Sequence, residues 1–181
     1  IQFNFEAKNL EIGKTAFGYC GALETLVLSD NIKKIGENAF KACTALKSVS
    51  IGNVETIEYD AFYKCENIEV VNTTNLSLWC NINFGSPQAN PVYYAGGLTV
   101  NGKVLTELTI PSDVLNVGDW AFANCDRLQS VIISSRVQSV GDGVFLDCDN
   151  ITEVSLADGV QKIGNRAFEN CDGLTTVVIP D

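Results

Sequence analysis

The sequence has no histidine and no methionine, only four prolines, and no unbroken apolar run long enough to cross a bilayer. Without histidine, Ser-His-Asp and Cys-His catalysis are excluded and the commonest metal ligand is gone. Positive charge is scarce: 12 Lys and Arg stand against 22 Asp and Glu, a net charge of -10. Such a surface repels nucleic acid and anionic lipid, so neither is expected as a partner, and no membrane insertion is expected. No signal-peptide pattern stands at Ile1, and a chain opening there reads as a trimmed piece of something longer. What remains, 46% hydrophobic and 19% charged in 181 residues, suits a folded domain and not a disordered tail.

Against these absences stands one repeated motif. Ala-Phe followed by Cys three residues after the Phe occurs as Ala16-Phe17-Cys20, Ala39-Phe40-Cys43, Ala61-Phe62-Cys65, Ala121-Phe122-Cys125, Val144-Phe145-Cys148 and Ala167-Phe168-Cys171. The Phe spacings are 23, 22, 60, 23 and 23 residues. Around each motif the order I-G-x-x-A-F-x-x-C-x-x-L-x-x-L-x-L recurs, and V-x-x-I-G opens the next copy, as at Ile32/Ile35-Gly36 and Val137/Val140-Gly141. A unit this short cannot bury its own apolar face, whereas stacked copies can each cover a neighbour.

Local periods describe one coil. Alternation in Leu26-Val27-Leu28, Val49-Ser50-Ile51, Leu108-Thr109-Ile110, Val131-Ile132-Ile133, Val154-Ser155-Leu156 and Val177-Val178-Ile179 predicts short strands. A second short strand is expected at V-x-x-I. The offsets of Ala16, Phe17, Cys20 and Leu23 fit one face of a short helix or helical turn. The glycines of Gly36-Glu37, Gly118-Asp119 and Gly164-Asn165 precede those turns, with a capping side chain behind each. All six repeat Phe rings are expected to be buried, at roughly 1.5–3 kcal/mol for each large side chain.

The motif I-G-x-x-A-F-x-x-C-x-x-L, with L-T-I-P at Leu108 to Pro111 and W-C-x-I-x-F at Trp79 to Phe84, resembles the BspA-like leucine-rich repeat surface proteins. The resemblance implies an α/β leucine-rich repeat solenoid, a right-handed coil of short strands and short helical turns forming a single curved slab. It also implies a secreted or cell-surface binding and adhesion module for protein or glycan partners, host extracellular matrix among them. A passive stalk holding another domain is the alternative. It carries over no catalytic residues and no cofactor, and an enzyme is not expected.

One repeat domain over 1–181 is expected, interrupted at about 72–105. There Trp79, Ile82 and Phe84 are expected to fill the core of a coil that lacks the motif. Gly85 to Gly97 reads as loop, and Asn101-Gly102 between apolar residues predicts a hairpin whose second arm continues into the Leu108 strand. Phe3, Phe5 and Ile12 stand 23 residues before Leu26, Leu28 and Ile35, and the only cap signal, Glu6 to Asn9, is modest. The pattern therefore reads as a fragment of a longer array.

Six of the seven cysteines share one repeat position, so a row of reduced thiols in the core is expected, with parallel Cβ vectors that do not suit disulfides. Cys80 stands apart and is the expected fast thiol. No C-x-x-C pair and no calcium-loop motif is present, so no metal site is expected, and Asp126, Asp142, Asp147, Asp149, Asp158 and Asp172 read as a solvated edge. Candidate partner-binding residues are the outward strand positions Thr25 and Val27, Ser48 and Ser50, Glu107 and Thr109, Ser130 and Ile132, Glu153 and Ser155, and Thr176 and Val178. Tyr93 and Tyr94 in the interruption join them, because aromatic side chains anchor interfaces.

Overall fold

The computed structural model describes the backbone of residues 2–3 and residues 9–180 in full. Phe5 and the cap segment Glu6 to Lys8 lie outside the described residues. Each coil supplies one strand to a front row and one to a back row. In chain order these are β1 (Gln2–Phe3), β2 (Leu10–Ile12), β3 (Thr25–Leu28), β4 (Ile32–Ile35), β5 (Ser48–Ile51), β6 (Thr56–Ile57) and β7 (Val70–Thr73). The interruption holds helix α1 (Leu76–Cys80), β8 (Asn83–Phe84), a 3-10 turn (Pro87–Ala89), α2 (Val92–Ala95), β9 (Leu98–Val100) and β10 (Lys103–Val104). Regular coils resume with β11 (Glu107–Thr109), β12 (Asn116–Val117), β13 (Ser130–Ile133), β14 (Ser139–Val140), β15 (Glu153–Leu156), β16 (Lys162–Ile163) and β17 (Thr176–Val178).

The front row forms two sheets, β1-β3-β5-β7-β9-β10 and β11-β13-β15-β17. The back row forms β2-β4-β6-β8 and β12-β14-β16. Every pairing is parallel except the hairpin β9–β10, where the turn at Asn101 and Gly102 has φ of 50° and 76°. Two left-handed residues in a two-residue hairpin turn are what Asn-Gly supplies. The second arm does not continue in one sheet, since β11 pairs only with β13 and the front row breaks between β10 and β11. The first strand pairs Phe3 with Leu28, two residues off the 23-residue spacing, an even shift that keeps the strand alternation.

The A-F-x-x-C segment is not helical. In the second copy, the amides of Asn38, Phe40 and Ala42 donate across to the carbonyls of Tyr59, Ala61 and Tyr63 in the next coil, at 3.1, 2.8 and 2.7 Å. The intervening amides of Ala39, Lys41 and Cys43 close turns onto Gly36, Asn38 and Phe40. Residues two before and two after the Phe, here Asn38 and Ala42, have φ of 55° and 54°, and the same holds at Thr15 and Tyr19, Trp120 and Asn124, and Arg166 and Asn170. A left-handed residue at the third turn position is the mark of type II turns. A helix would direct every amide within the coil; here half of them bind the coils together.

The rings stack in two files. Phe17, Phe40 and Phe62 lie 5.4 and 5.3 Å apart, and Phe122, Phe145 and Phe168 lie 5.6 and 5.1 Å apart, nearly parallel in each file. Phe40, Phe62, Phe122 and Phe145 are fully buried. Phe17 and Phe168 are only partly so, which corrects the expectation that all six are buried. They belong to the first and last copies of the motif, where stacking covers less of the ring. Gly36, Gly118, Gly141 and Gly164 serve close approach: a Cβ at Gly118 would stand 2.2 Å from the Ile82 carbonyl oxygen of the coil before it.

Candidate functional site

Strand register turns the outward positions of the front row into straight files. Thr25 pairs with Ser48 and Ser48 with Val70, while Val27, Ser50, Asn72 and Thr99 form the adjacent file. In the second sheet Glu107, Ser130, Glu153 and Thr176 make one file and Thr109, Ile132, Ser155 and Val178 the other. The structure thus gathers all twelve strand candidates on the front row, four on the first sheet and eight on the second. Val70, Asn72 and Thr99 complete the face. The 22-residue step from Ser48 and Ser50 leads to Val70 and Asn72, a signal the sequence reading passed over. Ile132 and Val178 keep 50% and 49% of their surface exposed, so the second sheet offers apolar contact between hydroxyls and carboxylates.

The interruption keeps the solenoid going. Its β8 pairs with β6 and its β9 with β7, so it extends both rows. Trp79, Ile82 and Phe84 are buried and fill the core, as their spacing predicts. The stretch 85–97 is more ordered than a loop: the Ser86 hydroxyl accepts from the Ala89 amide at 3.1 Å, and Pro87 opens the 3-10 turn. Asn90 is wholly buried, donating to the carbonyls of Trp120 and Ala121 at 2.8 and 2.9 Å and accepting from the Val92 amide at 2.9 Å.

Tyr93 and Tyr94 sit on α2, half-buried, with rings meeting edge to face at 5.5 Å. The Tyr94 hydroxyl accepts from the Lys64 amide at 3.0 Å, and burial pushes its phenol pKa up. The carbonyl of Tyr93 accepts from the Asn124 side chain at 2.6 Å. Both residues therefore join the coil before the interruption to the coil after it.

The thiols are all free, and the repeat ones have a structural partner the sequence did not reveal. Cys43, Cys65, Cys148 and Cys171 each donate from Sγ to the carbonyl of the Phe in the preceding copy, all at 3.1 Å. Burial pushes Cys125 up to about 12 and Cys148 further. Cys80 is fully buried and also pushed up to about 12 by desolvation, so it is not the fast thiol. The exposed thiol is Cys20, in the first copy.

Several acidic residues bind coils together. Asp119 Oδ1 accepts from the Asp142 amide at 2.7 Å, and Asp142 Oδ1 from the Asn165 amide at 2.8 Å. The side chains after Gly118 and Gly141 thus cap the next coil, not their own turns, whereas the Glu37 carboxylate accepts from Lys14 and Asn38. Asp147 accepts from the Asn170 side chain at 2.8 Å. Among the described residues no group of three or more Cys, Asp or Glu is arranged to hold a metal ion, and no helix is long and apolar enough to cross a membrane.

The family model for the BspA type leucine rich repeat region matches residues 1–84 and 100–181, in six copies. No curated protein gives a match. Among solved structures the chain is similar to a leucine rich repeat protein of T. pallidum, with 24% identity and a TM-score of 0.59, covering 92% of this chain and 72% of that one. It is also similar to a leucine rich cell surface protein from Faecalibacterium prausnitzii, with 26% identity and a TM-score of 0.59 over 92% of this chain. The pneumococcal vaccine antigen PcpA shares the fold at 16% identity and a TM-score of 0.52. This chain spans 42% of the Faecalibacterium protein and 53% of PcpA. With the stacked Phe files, the paired rows of strands and six matched copies, the chain belongs to the BspA-type leucine-rich repeat family.

Proposed function

We propose that this protein is an interaction module displayed outside the cell, binding a protein or glycan on its front row of strands and serving adhesion. The observation that carries the reading is the register of the outward files, which sets Thr109, Ile132, Ser155 and Val178 side by side beside Glu107, Ser130, Glu153 and Thr176. A flat face built this way offers apolar contact and hydroxyl hydrogen bonds at one coil spacing, about 4.8 Å. Each contact is weak alone, since the face has no Trp or Arg anchor, and gains from repetition. Extracellular placement draws support from the family and from the relative described as a cell surface protein. The same reading takes 1–181 as one repeat domain, with Tyr93 and Tyr94 as accessory contacts through their ring edges.

The test is a panel of immobilised extracellular-matrix proteins and glycans probed with the native protein and with I132K/S155K/V178K. Binding to a panel member that the triple variant loses, at an unchanged melting temperature, supports the reading. Equal binding by both proteins contradicts it.

A further inference from the structure

The outer side of the A-F-x-x-C turns carries a second surface with a charge opposite to that of the whole protein. Its residues are brought side by side by the cross-coil bonds: the Tyr19 amide donates to the Lys41 carbonyl and the Ala42 amide to the Tyr63 carbonyl, each at 2.7 Å. The Lys64 amide then donates to the Tyr94 hydroxyl. The ammonium of Lys41 lies 5.3 Å from the Tyr63 ring centroid and that of Lys64 lies 5.6 Å from it. One ring therefore steadies two cations. Neither lysine makes an ion pair with a carboxylate among the described residues, whereas Lys14, Lys33 and Lys34 all do. Tyr19 beside them is 68% exposed. At the positions of Lys41, Tyr63 and Lys64 the later copies hold Ala123 and Asn124, Leu146 and Asp147, and Glu169 and Asn170, with Asp147 and Glu169 acidic and no cation among them.

We propose that Tyr19, Lys41, Tyr63 and Lys64 form a docking site for a short acidic stretch of a partner polypeptide. Two unpaired ammoniums call for carboxylates, and the exposed tyrosine offers a ring for an apolar or aromatic neighbour of those carboxylates. The four residues span the Tyr19, Lys41 and Tyr63 coils, two steps of about 4.8 Å, the length of about three extended residues. A long polyanion is a poor fit, because it runs on over the acidic copies of the same ladder. A second copy of this chain, at a net charge of -10, is repelled as a whole. The inference shares with the sheet-face reading only the premise that the protein binds polypeptides; it uses a different surface and can fail separately.

The experiment is fluorescence anisotropy with a labelled peptide, Asp-Glu-Asp-Tyr-Glu-Asp between Gly-Ser arms, at low and at physiological salt. Saturable binding is expected, weakening with salt and falling at least about tenfold in K41E/K64E while the melting temperature holds. K41Q/K64Q, milder for the fold, is expected to lie between the two. Equal binding by all three proteins overturns the proposal, as does equal affinity for a peptide with Asn and Gln in place of the acids. Tighter binding of a sulfated polysaccharide than of the peptide also overturns it. So does self-association, seen by sedimentation, that K41E/K64E abolishes, because the site then belongs to a second copy.

Discussion

The indole N–H of Trp79 donates to the carbonyl of Ala121 at 2.9 Å, joining residues 42 apart in sequence. In regular copies the corresponding carbonyl accepts from a Phe amide: Phe17 to Ala39, Phe40 to Ala61, Phe145 to Ala167. The coil before Ala121 has no such Phe, and the side chains of Trp79 and Asn90 supply the donors in its place. The lost backbone bond is thus replaced atom for atom at the acceptor.

From this geometry Asn90→Ala is the costlier of two changes at the splice. It strands the buried Val92 amide and leaves the Trp120 carbonyl with the Ala123 amide alone, and an unsatisfied buried group costs about 1–3 kcal/mol. Trp79→Phe leaves Asn90 still serving Ala121 and is expected to cost less. Urea unfolding of both variants measures the order; a larger loss for Trp79→Phe contradicts it.

Ring files make a second expectation. Phe145 has a ring on either side and no exposed surface, so Phe145→Ala is expected to lose roughly 3–5 kcal/mol. Phe168, partly exposed at the end of its file, should lose clearly less. Equal losses in denaturant titrations would mean that ring stacking is not what stabilises the coils.

Thiol chemistry follows burial. Alkylation of the native protein by iodoacetamide should modify Cys20 quickly and leave Cys80, Cys125 and Cys148 untouched until unfolding. Peptide mapping that found Cys80 labelled first would reverse the assignment of the accessible thiol.

Acid stability divides by residue. The Asn165 amide and side chain hold the Asp142 carboxyl below its ordinary range, and Lys34 does the same for Glu58. Their stabilisation is fully present above the unfolded-state value, near pH 4, and is lost as pH falls through the lower folded-state value. Asp126 works in the opposite sense: burial, with Asp149 and Asp147 nearby, pushes its carboxyl up, so protonation relieves a penalty. The melting temperature of E58Q/D142N should therefore fall less than that of the native protein between about pH 5 and pH 3. D126N should raise it at neutral pH. Parallel curves would contradict the assignment.

Much of this architecture can be read from Phe, Cys and Gly spacing alone, because a stacked fold writes its contacts as a sequence period. The A-F-x-x-C turn is the exception. Its offsets mimic a helix face, and although Asn38, Asp60, Asn124 and Gly143 suit their left-handed positions, others hold Thr15, Tyr19, Ala42 and Trp120, so no consistent residue choice announces the turn. Cross-coil bonds decide the conformation, and those depend on the neighbouring copy. The same holds for the thiols: Cys recurs visibly, but its partner is a backbone carbonyl in another coil. On the candidate face, the files follow from strand alternation, whereas the Tyr94 hydroxyl's bond to Lys64 required the chain to be folded.

One core runs through the interruption, so both halves are expected to unfold together. Both tryptophans, Trp79 and Trp120, sit at the splice, while far-ultraviolet circular dichroism reports the strands of every coil. Equilibrium urea unfolding followed by both signals is the direct measurement. The account predicts one shared transition, with the same midpoint and slope by either probe. A tryptophan transition that precedes the loss of strand signal would show two arrays loosely joined, and would contradict it.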